Sequence, residues 1–205
     1  LVPLFDFDTE RNLPTTFSAG LFLLSSALFY WVSKGAVRTG ERHRVWLFLS
    51  ALFVFLAADE FCSIHELLGP PIRRAYNPSG LLYFAWVIPY GMAVAVLSIF
   101  VLPTIYRLAP QVRFWFGVSA VTFIAGAIGL EMAGGRRFEM LGRQKDAVFA
   151  LLATLEESLE MAGLIILVYA LLTLLQTEYS GFSLVVSDRS EAKATVSSQE
   201  FSKAA

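Results

Sequence analysis

The chain has little charge, one cysteine and two histidines. Charged residues make up 16% of its 205 positions, against roughly 25% in ordinary soluble domains. The formal net charge is −1 and no basic stripe interleaved with aromatics occurs, which argues against a nucleic-acid partner. Cys62 is the only cysteine, so an internal disulfide, an iron–sulfur cluster and a thiolate zinc site are excluded. His43 falls in a polar loop and only His65 in an apolar run, leaving a bis-histidine haem without its second ligand. No G-x-S-x-G elbow prepares Ser63 or Ser158 for nucleophilic attack with His65. Leu1 in first position leaves room for a processed or trimmed N-terminus.

Apolar sequence is what the chain has in abundance: 56% of its residues are hydrophobic, with a mean hydropathy of +0.61. Five runs approach the roughly 20 residues a membrane-crossing helix needs. They are Pro14 to Ser33, Val45 to Leu68 (stopped by Gly69-Pro70-Pro71), Leu81 to Leu102 (with Pro89 at its middle), Phe114 to Ala133 (closed by Gly134-Gly135) and Ala147 to Leu175. The expected fold is all-α, an integral membrane bundle of five transmembrane helices. It divides into an extracytoplasmic segment (1–13), the transmembrane domain (14–175) and a polar, serine-rich disordered tail (176–205). Lys34, Arg38, Arg42 and Arg44 dominate the first loop, while Asp6, Asp8 and Glu10 precede the first run. The positive-inside rule then places the N-terminus outside and the tail in the cytoplasm. Arg136, Arg137, Arg143 and Lys145 cast a contrary vote.

Against this background the ionisable residues inside the runs stand out. Asp59, Glu60, His65 and Glu66 close the second run, Glu131 lies near the end of the fourth, and Glu156, Glu157 and Glu160 sit within the fifth. Each charge near a bilayer centre costs about 2.5–3.5 kcal/mol on insertion scales, so these groups need mutual pairing or a bound cation. Antiparallel alternation brings all three sets to one level in the outer half of the bilayer. Helical phase puts Asp59, Cys62, Ser63 and Glu66 on one face, with Glu60 and His65 on its borders. Cys62 reads as a small packing residue. Glu131-Met132-Ala133-Gly134 recurs as Glu160-Met161-Ala162-Gly163, and loosely as Glu139-Met140-Leu141-Gly142. Ala125, Gly129 and Ala133 form a small-residue ridge suited to close helix packing.

The eight groups form one candidate ligand set: Asp59, Glu60, His65, Glu66, Glu131, Glu156, Glu157 and Glu160. It suits a cation site or proton relay in a transporter or an ion-handling subunit. One alternative is a metal-dependent membrane enzyme acting on a lipid or quinone. Another is a self-satisfied polar network in a structural subunit of a larger complex or homo-oligomer. The cofactor is open, with a hard divalent metal ion as the candidate. Iron of the ferritin-like kind is disfavoured because no E-x-x-H pair occurs. Pro89-Tyr90-Gly91 would free a backbone carbonyl and kink the third helix, either a bend that packing accommodates or a broken helix as at some transport sites.

The segments Phe5 to Thr15, Ala58-Asp59-Glu60 with Ile64-His65-Glu66, Phe84 to Gly91, and Leu155-Glu156-Glu157 with Leu159-Glu160-Met161 resemble an uncharacterised family of small bacterial polytopic membrane proteins. Some of its members carry the label multidrug transporter. The resemblance implies a bacterial inner-membrane, multi-pass protein in contact with lipid.

Overall fold

A computed structural model describes residues 12–40 and 43–179. Seven α-helices and shorter turns account for nearly all of it, and five helical stretches are long and apolar enough to cross a membrane. The helices are α1 (Leu13–Thr39), α2 (His43–Cys62), α3 (Gly69–Tyr76), α4 (Val87–Ile105), α5 (Pro110–Ile124), α6 (Glu131–Met140) and α7 (Ala147–Glu178). The fold is an all-α bundle. The acidic segment before residue 12 and the tail from 180 lie outside the described residues. The tail boundary expected at 176 moves, since α7 continues to Glu178.

The first crossing starts where Asn12 caps α1, its side chain accepting the Thr15 N–H at 2.8 Å. It ends at Gly40, whose φ of 75° is the left-handed conformation glycine adopts readily. α1 packs along α2 and α7, and α5 packs along α7. Between them lies an apolar core that includes Phe29, Val32, Ala36, Trp46, Val112, Leu171 and Leu174.

Three expected boundaries are wrong, each for a reason of backbone chemistry. The second crossing ends at Cys62, because Ser63 turns left-handed (φ 54°). A short 3₁₀ turn, His65–Leu68, comes next. Gly69-Pro70-Pro71 does not stop a helix; it opens α3. Proline suits a first turn, where its missing N–H has no intrahelical acceptor.

The third crossing starts at Val87 instead of Leu81, so Pro89 falls in its first turn. The first full-turn bond there runs from the Tyr90 N–H to the Trp86 carbonyl. Pro89 therefore removes no helical bond and makes no break, which overturns the broken-helix reading.

The fourth crossing does not close at Gly134-Gly135. It runs from Pro110 to Met140, interrupted by a π-helical stretch, Ala125–Leu130. Both glycines are buried within α6, where they permit close approach. A Cβ on Gly135 would stand 2.9 Å from the Phe84 ring.

Candidate functional site

All eight groups expected to meet do line one cavity, of about 550 Å³. Its walls come from α1, α2, the connector between α2 and α4, α4, the fourth crossing and α7.

Asp59 organises the first wall. It is 4% exposed and sits one turn before the end of α2. Its Oδ1 accepts the backbone N–H of His65 at 2.7 Å and lies 3.3 Å from His65 Nδ1. Its Oδ2 accepts the Tyr90 hydroxyl at 2.7 Å. One carboxylate thus holds the turn after α2, the imidazole and the start of α4. The His65 ring packs against Trp86 with centroids 4.6 Å apart, and Trp86 against Tyr90 at 5.3 Å.

The second wall depends on the π-helical stretch. Each π turn accommodates one extra residue, which rotates the helix beyond it by about 100°. Gly126 then faces α7, where a Cβ would stand 2.8 Å from the Glu156 carbonyl. The Ala125/Gly129/Ala133 ridge is consequently not the packing surface, and Gly126 takes that role. Glu131, just beyond, reaches the cavity and accepts the Trp86 indole N–H at 2.7 Å. Glu156 of α7 lines the same wall. Glu157 and Glu160 continue this wall along α7.

The three-fold repeat divides by role. Glu131 and Glu160 line the cavity, whereas Glu139 accepts the N–H of Gly80 in the connector. Gly163 packs against Phe123, where a Cβ would come within 2.8 Å. Gly134 has only the Phe149 ring near, at 3.8 Å.

Two expectations about the α2 face fail because that helix stops at Cys62. Cys62 is exposed, so it is not a packing residue, and neither it nor Ser63 lines the cavity. Glu66 is a lining residue, but an exposed one in the 3₁₀ turn. The expected metal-ligand set is spread along the walls. Among the described residues no three His, Cys, Asp or Glu side chains are grouped so as to hold one metal ion.

Sequence reading missed Tyr90, Trp86 and Lys145 as lining residues, which Arg73 joins. Trp86 and Tyr90 stand four apart, a spacing that places them on one face. Arg73 donates to the Tyr83 carbonyl and stacks on its ring, 3.8 Å from the centroid. Arg137 pairs instead with Asp146 at 2.5 Å. Arg137's hydrogen bond, with a smaller share from the Phe149 N–H, holds the Asp146 carboxyl below its ordinary value.

The chain belongs to the family described as Domain of unknown function (DUF8692), whose model matches residues 1–175. No curated protein and no solved structure matches it.

Proposed function

We propose that this is a multi-pass protein of the bacterial inner membrane whose cavity takes up a proton or a cation from the outer side. Its role is transport, either alone or as the ion-handling subunit of a homo-oligomer or larger membrane complex. The observation that carries this reading is the joint lining of one cavity by seven carboxyl groups and His65, drawn from three crossings and a connector. Ionisable groups inside a membrane are expensive and mark ion or proton pathways by default. The acids outnumber the cationic liners, Arg73, Lys145 and His65, so the cavity favours positive charge. Asp59, His65 and Tyr90 form one hydrogen-bonded chain, and Trp86 donates to Glu131 beside it. Such chains can pass a proton by small side-chain rotations.

The test is uptake by purified protein in proteoliposomes containing a pH-sensitive dye, under imposed proton, sodium and potassium gradients. A dye response that disappears in the Glu157→Gln/Glu160→Gln double variant is expected. Wild-type vesicles that behave like empty ones under every gradient would overturn the proposal.

A further inference from the structure

The cavity is larger than a bare ion requires. About 550 Å³ falls within the roughly 300–1,000 Å³ of sites for multi-atom ligands, far above the about 30 Å³ of one water. Its acids are distributed, with no metal-sized point of convergence among the described residues. Aromatic rings of Phe84, Trp86, Phe138 and Phe149 stand among them.

Charge changes sign along the walls. Lys145 lies two residues before α7, with its ammonium 5.4 Å from the Phe149 ring centroid. Glu160 lies eleven residues beyond Phe149, about 16 Å along the helix. Arg73 is seated on Tyr83 and Glu131 on Trp86, so a positive and a negative group are held three residues apart along the connector.

One side of the bundle is loosely closed. Within the chain α4 packs chiefly on α2, and it makes no extended contact with α7. Its Met92 and Ile99 are 66% and 70% exposed, and such residues on a crossing helix face acyl chains.

We propose that the cavity seats the headgroup of an aminophospholipid. The ammonium lies among the carboxyl groups and rings, the phosphate against Arg73 and Lys145, and the acyl chains leave between α4 and α7. This rests on the cation-uptake reading, the ammonium being the cation. Both signs of charge in the headgroup then meet their complements, and the rings add cation–π attraction to the ammonium. An anionic phospholipid without an amine would bring its phosphate toward the acids uncompensated, which supplies selectivity by repulsion.

The test compares phosphatidylethanolamine, phosphatidylglycerol and soluble glycerophosphoethanolamine added to the full chain in neutral detergent. Retention is read by native mass spectrometry and binding by the shift in melting temperature. Phosphatidylethanolamine should bind about tenfold more tightly than phosphatidylglycerol, the scale of one charge-assisted contact. Lys145→Ala should weaken it by a similar factor, and Glu157→Gln/Glu160→Gln should erase the preference between the two lipids. Equal binding of both lipids by wild type, or a preference untouched in the glutamine variant, would overturn the proposal. Glycerophosphoethanolamine binding as tightly as the lipid would overturn entry from the bilayer. Proton or cation uptake in vesicles lacking aminophospholipid, beside failed lipid selectivity, would sink this inference and leave the uptake reading standing. Selective lipid binding without uptake of any ion would do the reverse.

Discussion

The two ends of the bundle are built from the same helices and work by opposite rules. Toward the loop joining α1 to α2, the helices interdigitate through apolar side chains, with Phe29 stacked on Trp46 at 6.1 Å and Val32, Ala36 and Leu174 fully buried. The polar contacts on this side are compact: Ser26 donates to the Ser50 carbonyl at 2.7 Å and Ser33 to the His43 carbonyl at 3.2 Å. Toward the other end the same helices part around the cavity, and carboxyl groups replace apolar contacts. Lipid tails are as apolar as leucine, so helix association in a membrane depends on close packing and interhelical hydrogen bonds. The packed end supplies the first. The cavity end relies on individual clips, such as Asp59 holding His65 and Tyr90, Glu139 on Gly80 and Arg73 on Tyr83. Stability and ligand chemistry are thereby assigned to different ends of one bundle.

The sharpest way to break this contrast is to empty the packed end. Trp46→Ala should cost near the lower end of about 3–5 kcal/mol, because lipid removes most of the transfer term and leaves the cavity term. Uptake per folded molecule should stay unchanged. A variant that melts early and also loses uptake would show that the two ends are not separable.

Gly126 sits at the boundary between them. Gly126→Val would drive a side chain into the Glu156 carbonyl and Leu159, and overpacking of this kind costs about 1–3 kcal/mol. Here uptake should fall together with stability, since Glu131 and Glu156 line the cavity from the two sides of the same interface. Retained uptake would mean that the alignment of the two carboxyl groups is dispensable.

Substitutions inside the cavity should behave differently again. Glu131→Gln and Glu156→Gln each neutralise one carboxyl group of the wall that the fourth crossing and α7 form together. A double-mutant cycle on melting free energies should show a coupling of about 0.5–3 kcal/mol, as for other contacting groups. Strict additivity would dissolve the pair, and with it the second wall of the site.

The sequence disclosed the crossings and the ionisable liners of the cavity well, and the backbone that surrounds the cavity poorly. Hydropathy located five crossings, and acids set in apolar runs pointed to Asp59, Glu131 and Glu160, because burying charge in lipid has few solutions. The boundaries failed where a local backbone choice outweighed hydropathy. Apolar character continues through Leu67 and Leu68, yet the left-handed turn at Ser63 ends α2 at Cys62. Leu81 and Leu82 are apolar too, but the Gly80 N–H is bound by Glu139, and the chain stays in a turn until Val87. The π-helical stretch carries no compositional signature at all. It is imposed by the fit of Gly126 and Phe123 against α7, a tertiary fact that no spacing rule in the fourth run could show.

The smallest expected effect tests whether the clips at the cavity end are electrostatic. Asp146 caps α7 by accepting the Phe149 N–H at 2.9 Å and also pairs with Arg137. Arg137's hydrogen bond is the larger reason that its carboxyl is held below the ordinary 3.8. A depressed folded-state value means that the ionised group stabilises the fold above about pH 4 and that this contribution is lost as pH falls through the depressed value. Asp146→Asn keeps a capping oxygen but has no charge to titrate. The melting temperature of wild type should exceed that of the variant at about pH 6, and the gap should close toward about pH 3. Other titrating groups affect both proteins alike and drop out of the difference. Both partners of this pair are about one-third exposed, at 34% each, so screening keeps the gap small and about 0.5 M salt should shrink it further. A gap that persists unchanged at low pH would show that Asp146 works through its cap geometry alone, and that the mouth of the cavity is held without help from charge.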